Sequence, residues 1–106
     1  MSSSIYQVIR NAILNKQQVI ATYDGFHREM CPHVIGLKSG IEQALFYQFA
    51  GDTSKGPIRE QTKNNWRCIT ISKLTNVSVK DGEWHTFESH SRPSTCVDTI
   101  DVEVAY

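Results

Sequence analysis

The 106-residue sequence has no long hydrophobic run and no segment typical of export. Apolar runs such as Val19-Ile20-Ala21 are far shorter than the roughly 20 residues that a membrane-spanning helix requires. The N-terminus, Met1-Ser2-Ser3-Ser4, has no basic segment followed by an apolar one, so no secretory signal is predicted. The length and a hydrophobic content of 40% indicate one domain with a single modest core.

Cysteine is also scarce. Its three copies, Cys31, Cys68 and Cys96, are an odd number at wide and unpatterned spacing. Domains held together by disulfides carry even numbers of cysteines at recurring spacings. The sequence therefore predicts no disulfide framework and a reducing, cytoplasmic setting. Cys31 and Cys68 are interpreted as buried small apolar side chains rather than nucleophiles.

Catalytic and metal-binding patterns are missing as well. No Ser-His-Asp, Cys-His or paired-carboxylate arrangement is legible, so we do not expect an enzyme. His27, Cys31 and His33 share one strand face, but His27 and His33 would lie about 20 Å apart along an extended strand. Zinc needs ligands at about 2.0–2.3 Å, so no metal site and no cofactor are predicted.

Charge is balanced overall but unevenly distributed along the chain. Residues 55–80 carry six cations against Glu60 alone, a net charge of +5, and residues 81–106 carry a net charge of −5. Such a distribution indicates either an anion-binding face or two segments that neutralise each other in the fold. The six cations are Lys55, Arg59, Lys63, Arg67, Lys73 and Lys80.

The spacing of apolar residues predicts one helix, over residues 5–15. Five of these residues recur at the spacing of an amphipathic helix. Ser4 followed by Gln7 fits a capping box that would start the helix at about Ile5. The apolar stripe consists of Ile5, Val8, Ile9, Ala12 and Ile13.

From Gln17 onward the pattern is that of strands. Asp24-Gly25 is typical of a hairpin turn because both positions tolerate positive φ, and Lys38-Ser39-Gly40 predicts a second turn. Pro32 lacks an N–H donor and so predicts an edge or a bulge. Residues 51–65 read as a polar loop, and 89–94 as a linker. The predicted strands cover 17–23, 26–37, the surroundings of 45–49, 66–72 and 75–80, and the alternation at 100–104 is typical of an additional edge strand.

This order predicts a mainly β, α+β fold: an N-terminal helix followed by a five-stranded, strongly bent antiparallel barrel of the SH3-like or Sm-like kind. A sheet this small needs closure or a covering helix to bury one face.

Three sequence pieces in this order resemble the WYL domain family, over about Ile5 to Trp84. Tyr23-Asp24-Gly25 matches the family's Tyr-x-Gly, and Arg28-Glu29-Met30-Cys31-Pro32 matches its Arg-x-x-x-Pro. Residues 67–74 match its Arg-x-Phe-x-Leu-Asp-Arg-Ile, with Lys73 in place of the second arginine and Ser72 in place of the aspartate. The Trp-Tyr-Leu signature is absent, since residues 44–47 keep only aromatic and aliphatic character.

The resemblance implies a regulatory ligand-binding domain of the kind associated with bacterial defence, whose basic and aromatic residues bind nucleic acid or nucleotides. It divides the chain into a WYL-like barrel domain with its helix, 1–88, and a linker with an acidic C-terminal strand or tail, 89–106. Most members carry an upstream winged helix for which this chain has no room, so DNA-sequence recognition is not expected. The residues that the resemblance marks are Tyr23, Arg28, Tyr47, Arg67 and Lys73.

The residues themselves suggest a site at the rim of the sheet. Arg67 and Lys73 stand at the two edges of one strand, where their cationic groups would complement a phosphate. Trp66, and also Tyr23 and Tyr47, would stack bases. The competing interpretation is a set of solvated cations that answer the acidic tail, together with core aromatics.

Two functional hypotheses remain. The first is a module that senses an anionic ligand, a nucleotide or single-stranded nucleic acid. The second is an interaction protein that assembles through strand edges and its charge asymmetry. An oligomer and a separate DNA-binding partner protein are both left open.

Overall fold

The protein forms one helix and six strands in a computed structural model that describes residues 4–53, 56–58, 65–84 and 96–103. The predicted mainly β, α+β class is confirmed, as are the single helix and the C-terminal strand. The elements are α1 (Ser4–Asn15), β1 (Gln18–Tyr23), β2 (Phe26–Lys38), β3 (Ile41–Gly51), β4 (Trp66–Thr70), a 3-10 helix (Ile71–Lys73), β5 (Leu74–Lys80) and β6 (Thr99–Glu103).

The sheet is antiparallel, and its strands lie in the order β4-β3-β2-β1-β5. Strands β4 and β5 are at opposite ends of this order, although only the 3-10 helix separates them in sequence. That helix rises about 6 Å, whereas four strand spacings amount to about 19 Å in a flat sheet. The sheet is therefore strongly bent, as predicted. It is not closed into a barrel, because β4 and β5 do not pair with each other in the described part of the chain.

Two tight turns connect the first three strands. Asp24 and Gly25 have φ of 56° and 81°, and Ser39 and Gly40 have φ of 51° and 82°. Positive φ at both central residues is the requirement of the two-residue hairpin loop whose twist matches the flanking strands. Both predicted turns are confirmed. The gap between the predicted strands 66–72 and 75–80 is occupied by the 3-10 helix, and β4 ends at Thr70, two residues earlier than predicted.

Strand β2 has 13 residues and is long enough to pair with two strands along one edge. Its first half pairs with β1 up to Met30, and β6 continues the same edge from Val34 to Leu37. The pairing with β3 is irregular between Pro32 and Val34, where the sequence predicts an edge or a bulge. At Gly36 a β-carbon would overlap the Thr99 carbonyl oxygen, so this approach of the C-terminal segment requires glycine.

The inner face of the sheet packs against α1 and forms the main core. The helix stripe is largely confirmed: Ile9, Ala12 and Ile13 are buried, but Val8 is 37% exposed. Val8 was expected in the stripe and lies outside it, because the buried position on that turn is taken by Tyr6. The core contains the buried residues Tyr6, Ile9, Ala12, Ile13, Val19, Ala21, Met30, Ile35, Ala44, Phe46, Ile69, Ile71, Leu74 and Val102.

The outer face carries a second, smaller cluster, in which Trp66 packs against Val34, Leu45 and Val97.

The prediction that the chain contains no disulfide is wrong. Cys68 on β4 and Cys96 ahead of β6 form a disulfide, with their Cα atoms 5.6 Å apart. Cys68 is also exposed rather than buried. The two cysteines are 28 positions apart in sequence, and the sheet brings them together. Cys31 is buried, as expected, and is not part of this disulfide.

Some predictions fall outside the described residues. These are the linker at 89–94, residues 54–55 and 59–64 of the predicted loop at 51–65, and three of the six cations, Lys55, Arg59 and Lys63. Within the described part, no helix is long and apolar enough to cross a membrane.

Candidate anion-binding site

The six candidate residues divide between the two faces of the sheet. Neighbouring residues of a strand point to opposite faces, so Arg67 and Trp66 on β4 cannot share one. Arg67 lies opposite Phe46 of the main core, whereas Trp66 lies opposite Tyr47 on the outer face. On β2, Arg28 has the same parity as the core residue Met30.

Arg28 is the most unusual residue of the inner face, because its cationic side chain is only 4% exposed. Its Nε donates to the carbonyl oxygen of Tyr23 at 3.2 Å, and its Nη1 donates to Oε1 of Gln48 at 3.1 Å. The guanidinium carbon lies 5.0 Å from the ring centre of Tyr23 and 5.7 Å from that of Phe26. These partners are neutral, and no described carboxylate forms an ion pair with Arg28.

Gln48 fixes the position of Arg28. Its side chain is fully buried, and its Nε2 donates to the carbonyl oxygens of Ala50 at 3.1 Å and Asp52 at 2.9 Å. The amide oxygen is thereby oriented towards Arg28, which donates to it. Gly51 permits the close passage of this loop, since a β-carbon there would come within 2.5 Å of the His27 carbonyl oxygen.

Arg67 brings a second guanidinium to the same region. It is half-buried on β4, and its Nη1 donates to the carbonyl oxygen of Trp66 at 3.1 Å. Burial lowers the pKa of Arg67, and the positive charge of Arg28 lowers it further. Burial also lowers the pKa of Arg28. Burial therefore disfavours the charge of both guanidinium groups, and for Arg28 no described carboxylate offsets this cost by an ion pair.

Acidic side chains lie within electrostatic range of Arg28 without pairing with it. The negative charges of Asp24 and Asp52 partly oppose the effect of burial on the pKa of Arg28. Both carboxylates are on exposed residues, one at the β1–β2 turn and one after β3. The oxygen Oδ1 of Asp52 accepts the Thr53 N–H at 2.9 Å and so is oriented towards its own loop. Arg28 and Arg67 together form the arginine pair.

Lys73 lies on the 3-10 helix and is exposed at the rim, as the sequence indicates. The cation that acts on Arg67 is Arg28 rather than Lys73. The next residue, Leu74, pairs with Tyr23 at the end of β1, so Lys73 stands beside the β1–β2 turn. The structure thus brings Tyr23 together with Arg28 and with the residue that follows Lys73, and the charge of Arg28 acts on Arg67.

Tyr47 and Trp66 belong to a different environment. Their ring centres are 5.1 Å apart in an edge-on contact, and Tyr47 is fully buried. The ring of His33 lies 4.7 Å from Trp66 and 4.9 Å from Trp84. His33 Nδ1 is 2.8 Å from the Cys31 carbonyl oxygen, to which it donates. Tyr47 and Trp66 lie on the outer face, so the sheet separates them from the arginine pair, whereas Trp84 packs against the main core.

Three carboxylates of the acidic C-terminal segment have hydrogen-bond donors away from the arginine pair. Asp101 accepts hydrogen bonds from Tyr6 at 2.6 Å and from Arg10 at 3.1 Å, both on α1. Asp81 accepts from Gln17, and Asp98 accepts from the Ser39 backbone N–H. These carboxylates fasten the helix and turns, so they do not neutralise the arginine pair.

Sequence reasoning missed Gln48, whose signal was a lone amide within the otherwise apolar run Phe46-Tyr47-Gln48-Phe49. No group of three His, Cys, Asp or Glu side chains in the described ranges is placed to hold a metal ion. Arginine stays protonated in proteins and so supplies charge and hydrogen bonds, not proton transfer. The arrangement is suited to holding an oxyanion.

Comparison with known proteins adds no relative: no protein-family model, no curated protein and no solved structure matches this chain.

Proposed function

We propose that this protein is a regulatory binding module, not an enzyme, that senses an anionic ligand through the arginine pair. The ligand class is a nucleotide or single-stranded nucleic acid, whose phosphate lies against Arg28 and Arg67 at one end of the inner face. Lys73 contributes charge at the rim. Tyr23, with Gln48, holds Arg28 in place.

The observation that carries this proposal is the buried guanidinium of Arg28 with neutral partners. A buried charge is normally paired, because desolvation without a counter-charge costs several kcal/mol. Its hydrogen bonds to an amide and a backbone carbonyl use part of its donor capacity but bring no counter-charge. A phosphate would supply both, and guanidinium groups match phosphate oxygens in geometry as well as in charge.

We further propose that the chain is a divergent, stand-alone WYL-like module, with a separate partner protein for any DNA-sequence recognition. Its cytoplasmic location belongs to the same proposal. In that compartment the Cys68–Cys96 bond would be reduced or would act in redox sensing, since lasting disulfides are rare there. Counting alkylatable thiols in freshly lysed cells tests this point.

The direct test is calorimetric titration with ADP and with an oligothymidine at about 50 mM and about 200 mM salt. We expect binding that weakens as salt rises, because part of the affinity comes from released counterions. Arg67→Gln and Arg28→Lys should each weaken binding, the second because lysine retains the charge but loses the planar fork.

Lys80→Gln is the matched control. Lys80 is an exposed cation at the end of β5, and its replacement removes the same charge as Arg67→Gln. Equal losses for the two Gln variants would show that only net charge matters. Absence of binding by the wild-type protein to either ligand at low salt would overturn the proposal.

A second candidate is an interaction protein that assembles through strand edges. Strands β4 and β5 each have a pairing partner on one side only among the described strands. Salt-dependent oligomers that form without any nucleotide, seen by light scattering, would favour this function.

A further inference from the structure

The aromatic side chains of the described residues are engaged with protein rather than exposed. Tyr6, Phe46 and Tyr47 are buried, and the remaining described aromatics, Tyr23, Phe26, Phe49, Trp66 and Trp84, are half-buried. A platform for base stacking needs an accessible ring face. Whether the site binds the base of a nucleotide as well as its phosphate therefore depends on the accessibility of the rings near the arginine pair.

Tyr23 contacts Arg28, one of the two residues proposed to hold the phosphate. The guanidinium of Arg28 lies over its ring, 5.0 Å from the centre, and the residue also packs against the main core. The same guanidinium lies 5.7 Å from the ring centre of Phe26. These rings stabilise the cation and are not available to stack a base on the side that Arg28 covers.

Trp66 cannot stack a base whose phosphate lies on Arg67. The two are adjacent on β4 and so point to opposite faces of the sheet. The Trp66 ring is in edge contact with Tyr47 and His33, and it packs against the outer cluster. The sheet therefore separates Trp66, a candidate for base stacking, from Arg67, a candidate for phosphate binding.

We infer that the arginine pair recognises the phosphate group of its ligand and does not read the base. This inference rests on the proposed function and narrows it: the ligand is a phosphorylated compound selected by the number and placement of its phosphates. Nucleotides with different bases are then equivalent ligands, and pyrophosphate retains most of the affinity of a nucleoside diphosphate.

The test is a titration of the full chain with pyrophosphate, ADP, CDP, adenosine and two octanucleotides, oligothymidine and oligodeoxyadenosine. We expect ADP and CDP to differ by less than about threefold, and adenosine not to bind. Stacking of one base contributes about 5- to 150-fold in affinity, so its presence would be evident as a base preference or as weak pyrophosphate binding.

Arg67→Gln should weaken pyrophosphate, ADP and CDP by the same factor, roughly tenfold or more, since it removes charge-assisted contacts common to all three. Trp66→Phe, which retains a ring in the outer cluster, should leave all three affinities unchanged. A selective loss for ADP in Trp66→Phe, or a tenfold preference for one base, would overturn this inference and leave the proposed function standing. If neither pyrophosphate, ADP nor either octanucleotide binds, the proposed function fails as well.

Discussion

The two faces of the sheet are stabilised in different ways. The inner face buries side chains from α1 and from every strand in one continuous core. The outer face carries a smaller apolar cluster of four buried residues with Trp66 packed against them, and a disulfide joins β4 to the segment before β6. Apolar burial suffices where a helix covers the sheet. Where the apolar cluster is small, a covalent bond adds stability that packing alone supplies poorly.

The inner face also contains two buried polar side chains, those of Arg28 and Gln48. Arg28 and Gln48 lie on the same face as Met30 and Phe46 but at one end of it. Buried polar groups in an apolar face are costly and are kept for specific reasons. The candidate site therefore lies where the packing of the inner face changes from apolar to polar side chains.

The largest effect is expected from the inner core. Ile69 and Ile71 are each 1% exposed, and truncation of either to alanine should lower the free energy of unfolding by about 2–5 kcal/mol. Urea unfolding measures this loss. Val79→Ala is the control, because Val79 is 37% exposed and on an edge strand. Wild-type stability of both isoleucine variants would contradict the assignment of these positions to the main core.

The second-largest effect on stability is expected from the disulfide of the outer face. Reduction of the Cys68–Cys96 bond should lower the free energy of unfolding by about 2–4 kcal/mol, because the bond restricts the unfolded chain. Urea unfolding with and without a reductant gives the value. The double variant Cys68→Ser/Cys96→Ser should be insensitive to the reductant.

Thiol counting provides a separate check on this bond. Alkylation of the denatured, unreduced protein should modify Cys31 alone. Modification of three cysteines in protein purified without reductant would mean that packing alone stabilises the outer face, as it does the inner face.

A smaller effect is expected at Tyr6, which links the inner face to β6. Its hydroxyl donates to Asp101 at 2.6 Å, and a hydrogen bond to a charged group contributes about 1.5–3 kcal/mol. Tyr6→Phe should cost about that much in urea unfolding near neutral pH. Phenylalanine keeps the buried ring, so the loss reports on the hydrogen bond.

The pH dependence of this contribution has a defined sign. Burial first, and the hydrogen bond to Asp101 second, raise the pKa of Tyr6 above its ordinary value of 10.0. The unfolded chain therefore releases this proton at a lower pH than the folded protein does, and stability is lost as the pH rises above 10.0. Tyr6→Phe should show a shallower loss between about pH 9 and about pH 11. Parallel curves for the two proteins would contradict the raised pKa.

The smallest effect is expected at the rim. Arg67→Gln/Lys73→Gln should change the free energy of unfolding by less than about 1 kcal/mol, since Lys73 is exposed and Arg67 is already disfavoured by burial. Thermal unfolding checks this. A large loss would show that the two cations support the fold, as expected if they neutralised acidic segments.

Local patterns in the sequence predicted most of the inner face. Helix α1 and the turn at Asp24-Gly25 follow from apolar spacing and turn chemistry, and the burial of Ile69 and Ile71 follows from strand alternation. These features depend on residues close in sequence, where periodicity is informative. The open sheet was not predicted, because closure depends on how its two end strands meet.

The outer face was harder to predict, because it depends on contacts between residues far apart in sequence, which apolar periodicity does not reveal. The disulfide joins residues 28 positions apart, and cysteine counting suggested the opposite result. The separation of Trp66 from Arg67 was, by contrast, available from alternation alone, since neighbours on a strand face opposite ways. Grouping them in one site treated adjacency in sequence as adjacency in space.

The bond between Tyr6 and Asp101 has a consequence for kinetics. It joins residues 95 positions apart, whereas β1, β2 and β3 are joined by tight turns. Contacts between distant residues form only after a large loop has closed, so they tend to be absent from the folding transition state. We expect Asp101→Asn to accelerate unfolding and to leave the folding rate nearly unchanged in stopped-flow experiments. On this basis, the pairing of β6 prolongs the lifetime of the folded protein more than it speeds the protein's formation.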